Sequence, residues 1–82
     1  MAKDGDKIYF GDVRNRYKDE FTVGVVANTR VEAIKKIKNN INKKEMQLIN
    51  ISVTKEEEVT LFEDLDKAEQ EVFRNNDFFI YD

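Results

Sequence analysis

The chain has no cysteine, histidine, proline or tryptophan, and only three glycines in 82 residues. Without cysteine there is no disulfide framework and no thiolate zinc site. Without histidine as well, the commonest general base and the commonest activated thiol are both missing. Ser52 is the only serine, and it falls mid-strand with no base placed near it by pattern. Gly5, Gly11 and Gly24 are too far apart for a phosphate-cradling loop, and no Gly-x-x-x-x-Gly-Lys occurs. The expectation is a protein that is not an enzyme and needs no cofactor. No apolar run approaches the roughly 20 residues of a membrane span. Met1-Ala2-Lys3-Asp4-Gly5-Asp6 lacks the apolar core of a signal peptide, so the expected location is cytoplasmic.

What is present is charge, sorted along the chain. Residues 1–55 carry twelve Lys/Arg and seven Asp/Glu, a net of +5, while residues 56–82 carry two and ten, a net of −8. The overall −3 conceals this. A surface with one dominant sign steers encounters and selects partners. The apolar fraction of 40% falls in patterned blocks and includes nine aromatics, three Tyr and six Phe, enough for one small core. Length allows one domain over 1–82, with residues 1–6 expected to fray.

Two periodicities organise the rest. Residues 7–14 read as a strand, with Ile8 and Phe10 on one face, Tyr9 on the other and Gly11 at a bulge. Residues 21–27 read as a second, with Phe21, Val23 and Val25 sharing a face and Thr22, Gly24 and Val26 the opposite one. Thr29-Arg30-Val31-Glu32 has the spacing of a capping box, followed by Val31, Ile34, Ile37 and Ile41 at helical intervals. Residues 48–54 predict a third strand, with Ile49, Ile51 and Val53 inward. Thr60-Leu61-Phe62-Glu63 repeats the capping pattern and predicts a helix over 60–75 with Leu61, Leu65, Ala68 and Val72 on its apolar side. Phe78-Phe79-Ile80-Tyr81 is either a fourth strand or a hook for a partner or second copy. The order β-β-α-β-α-(β) predicts an α+β two-layer sandwich, both helices on one face of a three- or four-stranded sheet. The other face would then display Tyr9, Thr22, Gly24, Val26, Asn50 and Ser52. A crossover between strands 21–27 and 48–54 would be right-handed if they run parallel.

Three surfaces carry chemistry. Glu56, Glu57, Glu58, Glu63, Asp64, Asp66 and Glu71 concentrate negative charge where folding does not require it. Carboxylates at intervals along a rigid helix imitate a phosphate row, and would fit a basic groove on a protein that handles nucleic acid. Acidic residues also hold Mg²⁺ or Ca²⁺, but Asp4-Gly5-Asp6 is not continued as a calcium loop and no metal is expected. The alternative is a basic surface of Arg14, Arg16, Lys35, Lys36, Lys38, Lys43 and Lys44, suited to a phosphate backbone. With a pI near 5.0 and the acidic segment on so small a body, direct nucleic-acid binding is the lesser expectation.

The stretch Phe21-Thr22-Val23-Gly24-Val25-Val26-Ala27-Asn28-Thr29-Arg30-Val31-Glu32-Ala33-Ile34 resembles the strand–capped helix–strand unit of small phage-encoded inhibitors of host enzymes, among them inhibitors of host RNA polymerase, and the small size, polarised charge and composition of the chain resemble those of phage inhibitors that include anti-CRISPR proteins. The resemblance spans residues 21–53. It implies a non-catalytic inhibitor and carries no functional residue across. Abundant Lys, Asn and Ile, with Pro and Trp absent, also resemble proteins of AT-rich genomes such as low-GC bacteria and their phages.

Overall fold

Apolar residues occupy both parities of the first two strands, so their sheet needs a cover on each side. The computed structural model describes residues 2–15, 20–42 and 48–81. Strand β1 (Lys7–Asn15) and strand β2 (Glu20–Val26) form an antiparallel hairpin, from Ile8 opposite Val26 to Arg14 opposite Glu20. Helix α1 (Arg30–Asn42) leads to β3 (Leu48–Val53), which pairs antiparallel with the later part of β1. The two-residue β4 (Thr60–Leu61) takes Lys7 and Ile8 of β1. Helix α2 (Lys67–Asn75) precedes β5 (Phe78–Tyr81), which pairs antiparallel with β2. The sheet order is β3-β1-β2-β5, with β4 on β1 off that path. The fold is α+β. Both β2 and β3 are antiparallel to β1, so they run parallel to each other with α1 as their crossover.

The helices lie on opposite faces, not on one. Tyr9, Val13, Val23, Val25 and Val53 pack with Ala33, Ile37 and Ile41 of α1. Ile8 packs with Phe62 and Phe73, supported by Phe10, Val26 and Phe79, beneath α2. The register explains the correction. Tyr9 stands opposite Val25 and shares its face, so it is fully buried under α1 and not displayed. Phe10 stands opposite Gly24, and these two form the floor of the second core. Two covered faces bury more apolar surface than one, which matters for a chain this small.

Helix α1 begins as its pattern predicts. Thr29 Oγ1 accepts from Glu32 N–H at 3.1 Å, and Glu32 Oε2 accepts from Asn28 N–H at 3.4 Å. Its buried stripe is shifted: Ala33, Ile37 and Ile41 are fully buried, Ile34 is half-buried, and Val31 is 64% exposed. At about 100° per residue Val31 stands roughly 120° from the centre of the Ala33, Ile37 and Ile41 stripe, so it turns toward solvent. Ile51 supports the α1 core as expected, while the side chain of Ile49 lies outside the described residues.

Helix α2 starts six residues later than the Thr60 capping pattern predicts. Thr60 belongs to β4, and residues Phe62–Asp64 form a single 3-10 turn. The cap is Asp66, whose Oδ1 accepts from Glu69 N–H at 2.8 Å. Pairing with the free edge of β1 satisfies Thr60 and Leu61 before a helix can include them. Phe73 is the centre of the buried side and Ala68 is exposed.

Two smaller expectations also change. Gly11 is regular, and the register slip falls between Arg14 and Asn15. A Cβ at Gly11 would stand 2.9 Å from the Ser52 carbonyl oxygen, so close approach of β3 is its requirement. Residues 2–6 are tied down, not frayed. Ala2 N–H donates to the Phe73 carbonyl at 2.9 Å, and Gly5, at φ +94°, turns the chain so that its N–H reaches Glu63.

Candidate functional site

The acidic residues 56–66 lie on an anchored ribbon, not on a helix face. Residues Glu56–Glu58 form a 3-10 turn, β4 follows, and the second 3-10 turn leads to Asp66. The apolar residues hold the ribbon down. Phe62 is buried in the α2 core, Val59, Leu61 and Leu65 are half-buried, and Phe62 N–H donates to the Asp6 carbonyl at 2.9 Å. Every carboxylate of the ribbon is exposed.

These carboxylates have different tasks. Glu56 Oε1 accepts from Arg30 N–H at 3.1 Å, adding negative charge to the first turn of α1. Glu63 Oε1 accepts from Gly5 N–H at 2.9 Å, and that bond holds its pKa below the usual carboxylate value. Asp66 caps α2. Glu71 pairs with Arg74 at 3.4 Å and accepts from Asn75. Glu57, Glu58 and Asp64 accept no hydrogen bond from any described residue. The seven acidic residues are therefore not equivalent: four stabilise local structure and three are exposed without a described partner.

The basic candidates divide in the same way. Arg14 forks onto Glu20 across the hairpin, its Nε at 2.9 Å from Oε1. Lys36 Nζ donates to the Val26 carbonyl at 2.7 Å and pairs with Glu32 at 3.4 Å. Lys35 and Lys38 are exposed on α1. Arg16, Lys43 and Lys44 lie outside the described residues. Arg30, outside the basic surface expected from the sequence, donates from Nε to the Val53 carbonyl at 3.3 Å and closes part of the β3 edge.

Helix α2 covers only part of its face of the sheet. Beyond it lies an open cleft of about 360 Å³, bordered by Phe10, Asp12, Thr22, Ser52, Lys55 and Glu58. Thr22 Oγ1 donates to Asp12 Oδ1 at 3.1 Å, and Ser52 stands opposite Asp12 on the other side. Of the residues expected on an open face, Thr22 and Ser52 are there. Asp12, Lys55 and Glu58 complete the rim. Three polar side chains in one row across three strands are detectable only once the register is known.

Two tyrosines are perturbed. Tyr9 is fully buried, its hydroxyl has no hydrogen-bond partner among the described residues, and burial, then the Glu56 and Glu32 carboxylates, raises its pKa. Tyr81 is half-buried and its hydroxyl donates to Glu69 Oε2 at 3.2 Å. Burial first, then the Glu69 charge, pushes its pKa up to about 12. Among the described residues the Tyr9 hydroxyl has no partner and the Tyr81 hydroxyl has the Glu69 carboxylate. Among the described residues no group of three or more acidic, Cys or His side chains is placed to hold a metal ion, and no helix is long and apolar enough to cross a membrane. Comparison with protein-family models, curated proteins and solved structures finds no match.

Proposed function

We propose that this chain is a non-catalytic binding protein of a phage or mobile element, which blocks a host nucleic-acid-handling enzyme by setting its acidic ribbon into that enzyme's basic groove. The observation that carries this reading is the state of Glu57, Glu58 and Asp64. They are exposed, engaged by no described residue, and mounted on backbone held by β4 and by buried Phe62. Negative charge on a fixed support loses little conformational freedom on docking, and in a basic groove it substitutes for phosphates. Folding does not use these three carboxylates, in contrast to Glu56, Glu63, Asp66 and Glu71. The strand–helix–strand resemblance and the AT-rich composition support the phage source.

The test is affinity capture from a low-GC bacterial lysate with the chain and with its Glu57→Lys, Glu58→Lys, Asp64→Lys variant. The variant is expected to keep its melting temperature within a few degrees, because the three exposed carboxylates hold no described hydrogen bond or ion pair whose loss would cost stability. It is expected to lose the captured enzyme, because like charge then faces the groove. Capture that survives the reversal refutes the reading. Salt-sensitive binding of DNA or RNA at physiological salt, abolished when Lys35, Lys36 and Lys38 become Gln, would establish the basic helix as the functional surface instead.

A further inference from the structure

The two edges of the sheet are treated differently. In the pairing of β1 with β3, Thr54 N–H donates to the Phe10 carbonyl. By the alternation of an antiparallel ladder, Val53 then points its backbone groups away from β1. Its outward carbonyl is occupied by Arg30. The β5 edge has no such cover. Val26 N–H donates to the Asp77 carbonyl at 2.9 Å, and the register continues through Gly24 opposite Phe79 and Thr22 opposite Tyr81. Alternation therefore turns the N–H and C=O of Phe78 and Ile80 outward, and among the described residues nothing bonds to them. Phe78-Phe79-Ile80-Tyr81 is half-buried throughout and, apart from its four-residue length, lacks the usual edge protections of Lys, Pro or internal charge.

The charges at the two ends of this edge say what fits it. At one end is exposed Asp77. At the other, Tyr81 holds Glu69 by its hydroxyl, and Asp66 caps the same helix. On α1, Lys36 is engaged by Val26 and Glu32, and on α2, Arg74 is engaged by Glu71. The edge is thus four uncharged residues bracketed by carboxylates. We infer that β5 is a docking edge for an extended segment of another protein, apolar or uncharged in its middle and bearing Lys or Arg at both ends, which adds to the sheet as a further strand beyond β5.

The same brackets act against a second copy of this chain. A symmetric antiparallel pairing that bonds Phe78 to Ile80 of the second copy sets Asp77 opposite Tyr81 of that copy. Asp77, Phe79 and Tyr81 share the α2 face, so Asp77 would approach the second copy's Glu69. Like charge at both ends disfavours the self-pairing that an uncharged edge invites. This inference goes beyond the acidic-ribbon reading and does not depend on it, since it uses main-chain groups of a different strand.

The probe is a capped synthetic peptide of about six residues with alternating Val and Thr in the middle and Lys at each end, with a Glu-flanked peptide of the same middle as control. Backbone amide shifts and hydrogen exchange of the whole chain are followed at millimolar peptide. The Lys-flanked peptide is expected to slow exchange of the Phe78 and Ile80 amides roughly tenfold or more. The effect should weaken with added salt, and the Glu-flanked peptide should do nothing. Ile80→Pro removes an outward donor while leaving the inward N–H groups of Phe79 and Tyr81 in place, and should abolish the effect. If that variant fails to fold, the wild-type exchange data still decide. No protection with the Lys-flanked peptide, equal protection with both peptides, or protection that rises with protein concentration alone, together with a dimeric sedimentation mass, each overturns the proposal.

Discussion

Replacing Gly24 by Ala should destabilise the protein although it adds only one methyl group. The Cβ would lie 2.5 Å from Phe73 Cζ, 3.3 Å from Phe73 Cε1 and 3.2 Å from Phe10 Cε1. Ordinary carbon contacts are about 3.5–4.0 Å, so the Phe73 ring must retreat by about 1 Å. It has little room to do so. Phe73 is fully buried, stands edge-on to Phe10 at 6.3 Å between ring centroids, and its carbonyl is held by Ala2. Overpacking of this kind costs about 1–3 kcal/mol, while loss of glycine's freedom in the unfolded chain returns about 0.4–1 kcal/mol. The net spans about 0–2.6 kcal/mol with a centre of about 1.3 kcal/mol, and that centre corresponds to a fall in melting temperature of roughly 5–10 °C for a domain this size. Thermal and urea unfolding followed by circular dichroism measure it. The cause is isolated by repeating Gly24→Ala in a Phe73→Leu background, where the ring is gone and the cost should shrink by at least half. An unchanged or raised melting temperature, or full additivity of the two substitutions, would refute the packing of α2 on Gly24.

Asp66→Ala should cost about 0.5–2 kcal/mol as the loss of the α2 cap, whereas Thr60→Ala, in a two-residue strand, should cost distinctly less; urea midpoints that reverse this ranking would return the start of the helix to Thr60. Tyr81 ionises near 10 when unfolded and near 12 when folded, so its contribution to stability is complete below pH 10 and is lost as pH rises toward 12. Melting temperatures across that window should fall less steeply for Tyr81→Phe than for the wild type, with Tyr9 supplying the remainder; identical slopes would show that Tyr81 is not held at Glu69.

The ribbon and the edge strand differ in how far they were legible beforehand. The density of carboxylates over residues 56–66 is plain in the chain, and so is the uncharged block at residues 78–81. Which carboxylates remain unengaged is not, because Gly5 and Arg30 donate to Glu63 and Glu56 across sequence gaps that no local pattern spans. The capping patterns at Thr29 and Thr60 make the same point. Both have Thr followed three residues later by Glu, yet only Thr29 caps a helix. At Thr60, pairing with β1 offers the backbone a competing set of hydrogen bonds, and the nearby Asp66 takes over the cap.

The first three strands, the α+β class, the α1 start and the charge polarity are written in the chain, because they follow from residue spacing within a few positions, whereas residues 60–64, which read as helix, form β4 and a 3-10 turn. Tertiary structure decided which face each strand presents, since cross-strand register and not alternation alone places Tyr9 beside Val25 and Gly24 beneath Phe73. It also decided that the helices lie on opposite faces, because a sheet apolar on both parities buries more surface between two covers than under one. And it decided which edge is open: alternation within a strand is written in the chain, but whether an outward carbonyl meets Arg30 or meets nothing depends on where a distant helix comes to rest.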